Sequence, residues 1–114
     1  MISATTISTH VLDTALGAPA AGIGVTLCRV SEGSVTEIGR GTTNADGRVT
    51  SFGVTLLQAG THRLWFDVAS YFAATERASF YSEICIAFEV SASPQHYHVP
   101  LLLSPYGYST YRGS

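Results

Sequence analysis

SEICIAFEVSASPQHYHVPLLL, Ser82–Leu103, is the stretch whose reading decides the fold. In its first half Ile84, Ile86, Phe88 and Val90 recur at every second position, with Glu83, Cys85, Ala87 and Glu89 between them. In its second half Tyr97, Val99, Leu101 and Leu103 alternate with His96, His98, Pro100 and Leu102. Successive side chains of a strand point to opposite faces, so each half places one apolar row on a core. A helix would need its apolar residues three and four apart instead. His98 therefore faces away from the interior.

The same alternation continues outward from this stretch. Candidate strands are Thr6–Asp13, Gly24–Ser31, Val35–Thr43, Arg48–Thr55, Gly60–Val68, Ser82–Val90, His96–Leu103 and a last one near Tyr106–Tyr111. Gly, Asn, Asp and Pro punctuate them at short intervals, the pattern of an all-β sandwich with two packed sheets. Asn44–Gly47, NADG, tolerates positive φ and predicts a tight connection. One short helix is predicted over Ser70–Ala78, where Ser70 can cap YFAATERA. In the first strand Ile7 and Val11 share a face, and Ser8, His10 and Leu12 share the other. His10 thus also faces outward. An outer face carrying Leu12, Pro100 and Leu102 is a poor solvent face, so a second subunit is expected there.

At 114 residues the chain is expected to form one domain over residues 1–114. Only 12% of its residues are charged, about half the usual ~25%, which also points to an oligomer. All the basic residues are arginines, Arg29, Arg40, Arg48, Arg63, Arg77 and Arg112, and they are scattered. With a net charge of −2 there is no basic stripe to neutralise phosphates, so nucleic acid and anionic membranes are not expected partners. The N-terminal segment reads neither as a secretory leader nor as a transmembrane span, and a cytoplasmic location is expected. Cys28 and Cys85 then read as free, small hydrophobes rather than a disulfide.

The residues by themselves leave the chemistry open. His62 and His96 read as ordinary surface or hydrogen-bonded histidines. His10 and His98 are open between a structural network and a functional site. Arg48 follows the Asp46–Gly47 turn and could be a solvated turn-exit residue, or a rigidly placed guanidinium reaching over the sheet. Tyr106, Tyr108 and Tyr111 fit packing as well as a site. The His96-x-His98 pair has the spacing for Zn²⁺ on one strand face, but further protein ligands are not evident, and no metal or cofactor is expected. No GxSxG elbow, CxxC pair or phosphate-binding glycine loop occurs.

Two segments carry a resemblance: ISTHVLDTALGAPAAGIGVTL, Ile7–Leu27, and HYHVPLLLSPYGYSTYRGS, His96–Ser114. They resemble the 5-hydroxyisourate hydrolases, the enzymatic relatives of transthyretin. TTNADGRV, LWFDVASYF and FYSEICIAFEV between them are similar to the middle of that family, although Ser82 stands where relatives often carry proline. The resemblance implies a transthyretin-like sandwich of about eight strands with one short helix. It implies a homotetramer, a dimer of dimers, with sites at the dimer–dimer interface. It implies hydrolysis of a small-molecule substrate, 5-hydroxyisourate, in urate degradation, with His10, Arg48 and His98 catalytic. Substrate binding would fall to His10 and Arg48 with Tyr111 and Ser114 of the terminal YRGS. The alternative is a non-catalytic transthyretin-like carrier of a small planar ligand. A polar His, Arg, His lining argues against it, because such groups left unpaired around an apolar ligand cost free energy.

Overall fold

The computed structural model describes residues 5–54 and 56–114. Among the described residues nine strands form two sheets, and one short helix accompanies them. The first sheet contains β1 (Thr6–Asp13), β2 (Ala18–Pro19), β5 (Arg48–Val49), β8 (His96–Ser104) and β9 (Gly107–Thr110). β1 runs parallel to β8, and β8 is antiparallel to β9. The other edge of β1 is shared, with β2 on Leu12 and Asp13 and β5 on Thr9 and His10. The second sheet has the order β4-β3-β6-β7, from β3 (Gly24–Ser31), β4 (Ser34–Thr42), β6 (Gly60–Phe66) and β7 (Ile84–Val90), all antiparallel. This is the all-β, two-sheet sandwich that alternation predicts.

Between the sheets lies the row read from alternation: Val11, Leu101 and Leu103 from the first sheet meet Leu27, Leu64 and Phe66 from the second, all with no exposure. Removing such side chains from water contributes roughly 1.5–3 kcal/mol each. Thr9, also fully buried, donates its hydroxyl to the Val99 carbonyl at 2.5 Å, so its polar atom is satisfied inside the core.

Most strands shift by one or two residues from their expected bounds, and three elements differ by more. The strand expected over Arg48–Thr55 is only Arg48–Val49, and Thr55 lies outside the described residues. Beyond Val49 the ladder with β1 stops, Phe52 is buried in the core and Gly53 takes a positive φ of 76°. β2 was not anticipated, because its two residues carry no period. The helix α1 spans Val68–Ala74 rather than Ser70–Ala78. Asp67 is the cap: its carboxylate accepts from the Ser70 N–H at 3.2 Å and the Ser70 hydroxyl at 2.7 Å. Glu76 at φ 57° terminates it.

The NADG connection is tight, as expected, but it joins the two sheets instead of closing a hairpin within one. The Asn44 side-chain carbonyl accepts from the N–H groups of Asp46 and Arg48 at 2.9 and 3.0 Å. Gly47, at φ 74°, has its missing Cβ facing the Val11 carbonyl at 2.5 Å, so the turn lies directly against β1. That contact delivers β5 to β1. At the other end of β1, the fully buried Asp13 accepts from Tyr71 Oη at 2.7 Å and Arg77 at 2.5 Å, tying α1 to this sheet. Burial alone would raise the Asp13 carboxyl, but Arg77, Tyr71 and the Leu16 N–H overcome it and hold the group below its ordinary value. Cys28 and Cys85 are free thiols, both pushed up chiefly by burial.

Candidate active site

Strand register is what assembles the polar groups. His10 stands opposite Arg48 across the β1–β5 pair and opposite Pro100 across the parallel β1–β8 pair. Ser8, two positions earlier on the same face of β1, stands opposite His98. One pleat repeat, about 6.6–6.8 Å along the strand, therefore separates the two histidine rows. His10, Arg48 and His98 come together on the outer face of β5-β1-β8. The chain places them 38 and 50 positions apart, so the β1–β5 and β1–β8 pairings bring about their approach.

His98 is the most constrained member. It is half-buried, and its Nδ1 lies 2.8 Å from the Ser8 hydroxyl. Its carbonyl accepts from the Gly113 N–H at 2.8 Å, the one backbone bridge that the terminal segment makes to this sheet beyond β9. A Cβ on Gly113 would stand 2.5 Å from His98 Cδ2, so only glycine lets the chain lie against the imidazole ring. Ser114 follows Gly113 in the sequence. Burial, then the positive charges of Arg48, His96 and His10, holds the His98 imidazole below its ordinary value. A neutral ring is what a proton acceptor requires.

Tyr111 is placed differently. It is exposed and lines a groove of about 290 Å³ with Ile86, Phe88, Tyr97 and Val99, away from the three polar residues. Within one chain, then, the pairings group His10, Arg48, His98 and Gly113, whereas Tyr111 belongs to the groove between β7 and the terminal segment. Pro100, expected as part of an exposed apolar face, is buried within the chain. Its carbonyl accepts the Thr110 hydroxyl at 2.7 Å. Leu12 and Leu102 remain half-buried on that face. A cavity of about 390 Å³ lies instead on the other sheet, lined by Arg40, Trp65, Asp67 and Glu83 among others.

Sequence reasoning missed two participants. Ser8 and His96 are bonded to each other and, through Ser8, to His98. Both His96 ring nitrogens have hydroxyl partners, Thr6 Oγ1 at 2.7 Å and Ser8 Oγ at 2.8 Å. Period two already put Thr6, Ser8 and His10 on one face, but only the parallel register of β1 and β8 shows which histidine each hydroxyl meets. His62 faces the core with no exposure, so it is not a surface histidine.

Similarity to known proteins agrees with the geometry. The chain is 44% identical over 113 residues to 5-hydroxyisourate hydrolase of Deinococcus radiodurans, covering 95% of each chain. The structure of Klebsiella pneumoniae 5-hydroxyisourate hydrolase superposes with a TM-score of 0.84 at 39% identity, covering 95% of this chain and 98% of that one. Sea bream transthyretin in complex with thyroxine superposes with a TM-score of 0.88 at 26% identity, covering 94% and 93%. Residues 7–113 match the family model described as HIUase/Transthyretin, and the chain belongs to that family.

Proposed function

We propose that the chain hydrolyses 5-hydroxyisourate to 2-oxo-4-hydroxy-4-carboxy-5-ureidoimidazoline, a step of urate degradation. The observation that carries this reading is the convergence of His10, Arg48 and His98 on one sheet face through register. The names of relatives at 44% and 39% identity support the same substrate. Backbone shape does not separate hydrolase from carrier, since the transthyretin structure superposes at least as well. The polar side chains do: three groups that seek hydrogen bonds suit a hydrolytic site and penalise an apolar ligand.

In this mechanism water adds to a cyclic amide carbonyl carbon. His98 and His10 share removal of the proton from water and its delivery to the nitrogen that leaves as the ring C–N bond breaks. Such acid–base assistance is typically worth about 10²- to 10⁴-fold. Arg48 holds substrate oxygens with its planar fork and offsets charge growing on the attacked carbonyl. Ser114 supplies a hydroxyl to the substrate, and Tyr111 forms the substrate rim. No metal or cofactor takes part.

The functional unit is a homotetramer, a dimer of dimers. On one chain the three residues lie on a sheet face with the half-buried Leu12 and Leu102, and a second chain packed there would dehydrate the site and bring in a Tyr111. A cytoplasmic setting fits this metabolic role, and no helix among the described residues is long and apolar enough to cross a membrane. The test is to generate 5-hydroxyisourate in place with urate oxidase and follow its ultraviolet decay. Acceleration over spontaneous decay that is lost in His98→Ala and Arg48→Ala is expected. Decay no faster than the control from a folded protein would transfer the reading to a carrier.

A further inference from the structure

We propose that Ser8 and His96 are positioning residues that set which ring nitrogen of His98 carries its proton. The inference rests on the hydrolase reading for its functional consequence, but its structural content stands on hydrogen bonds alone.

The four groups form one chain. Thr6 Oγ1 lies 2.7 Å from His96 Nδ1, Ser8 Oγ lies 2.8 Å from His96 Nε2, and the same oxygen lies 2.8 Å from His98 Nδ1. A serine hydroxyl has one proton and two lone pairs, so it donates to at most one of the two imidazoles. Two arrangements place that proton within the chain of contacts. In the first, His98 Nδ1–H donates to Ser8, Ser8 donates to His96 Nε2, and His96 Nδ1–H donates to Thr6. His98 Nε2 is then bare and can accept a proton. In the second, every donor is reversed and His98 Nε2 carries a proton, leaving it an acid.

His96 biases the choice. It is exposed, whereas Ser8 and His98 are half-buried. A His96 that donates from both nitrogens leaves the Ser8 proton free to turn to His98 Nδ1, which favours the second arrangement. Neutral His96 permits the first arrangement. The charged or titratable groups facing His98 are Arg48 from β5, His10 from β1 and His96 from β8. Ser8 is the group that contacts a His98 ring nitrogen directly. During the reaction His98 Nε2 takes the proton from the attacking water while its Nδ1–H stays on Ser8 Oγ. The imidazolium then returns the Nε2 proton to the leaving nitrogen, so no proton is gained or lost over the cycle.

Steady-state kinetics against pH for wild type, Ser8→Ala and Ser8→Thr, with 15N-imidazole spectra of each unliganded protein, test this. Ser8→Ala is expected to lower kcat about ten-fold with KM changed less than about two-fold, the scale on which partners that fix a histidine tautomer act. Because Ser8 accepts from the charged ring and stabilises it, the acid limb of the profile should move to lower pH. The spectra should change from a His98 Nδ1–H tautomer in wild type to Nε2–H in Ser8→Ala, and Ser8→Thr should restore both properties. Wild-type kcat and an unmoved acid limb in Ser8→Ala would overturn the proposal. An unchanged tautomer, or a loss that Ser8→Thr does not repair, would overturn it as well by marking a packing role. A wild type that fails to accelerate decay would remove the hydrolase reading while leaving the tautomer result to stand by itself.

Discussion

His62 and His98 occupy strands of opposite sheets, and both imidazoles are held below their ordinary value, burial being the largest cause in each. Their surroundings differ. His62 is fully buried, stacked on Phe88 at 5.9 Å between ring centres, with Nδ1 3.1 Å from the Gly60 carbonyl and Nε2 without a partner among the described residues. His98 is half-buried, lies beside Arg48, His96 and His10, and has its Nδ1 on a hydroxyl that can donate or accept. The comparison teaches that a depressed imidazole is not by itself a mark of chemistry. In the core it reports a group that destabilises the fold when charged. On the sheet face, with charges and a reversible hydrogen bond around it, it is available to a substrate.

The largest expected effect separates the two histidines by rate. His98→Ala should lower catalysed decay of 5-hydroxyisourate by about 10²- to 10⁴-fold, whereas His62→Phe should change it less than about two-fold. Both are measured by subtracting spontaneous decay. Equal losses would erase the distinction.

Next comes Gly113→Ala, which tests whether the contact on the His98 ring matters. The added Cβ falls 2.5 Å from Cδ2, so ring or terminal segment must shift. A displacement of about 1 Å near reacting groups can cost about 10²-fold, and the same decay assay should show a loss of that order with an unchanged unfolding midpoint. A midpoint that falls together with the rate would instead make the contact a packing one.

The third prediction concerns stability and pH. His62 in the fold binds protons less readily than in the unfolded chain, so below an ordinary value of about 6.5 the unfolded state takes up more protons. Stability from this group is complete above that value and is lost as pH falls toward the lowered folded value. Arg29 adds to the depression, while Glu89 and the Gly60 carbonyl oppose it. Denaturant titrations should show wild type losing stability from this source as pH falls below about 6.5, and His62→Phe escaping that part of the loss. Parallel acid curves for both proteins would assign the sensitivity elsewhere.

The smallest effect is at pH 8, where His62→Phe should gain about 1 kcal/mol by removing the unpartnered Nε2 while keeping an aromatic ring against Phe88. Urea midpoints suffice to measure it. A loss there would mean that the Phe ring does not fit the His62 space.

Much of this molecule was legible in its sequence, unevenly and for identifiable reasons. β1 matches its expected bounds and β8 extends its own by one residue, because long runs of strict alternation leave no competing period. Arg48–Val49 was overextended, because residues after it are apolar enough to continue a strand while pairing with β1 stops at Val49. The α1 start was displaced because both Asp67 and Ser70 are capping residues, and only the hydrogen bonds choose Asp67. The resemblance named His10, Arg48, His98, Tyr111 and Ser114 together; pairing within one chain groups the first three and puts Tyr111 on another groove.

Side-chain period by itself determined the two-sheet class and the outward faces of His10 and His98, since an alternating pleat assigns faces without reference to neighbours. Which residues become neighbours was decided only by tertiary structure. Parallel pairing of β1 with β8 brings Ser8 to His98, the Gly47 contact delivers Arg48 to His10, and core packing encloses His62. Register and burial are properties of strands that meet across the whole length of the chain, and no local pattern encodes which hydroxyl an imidazole will find.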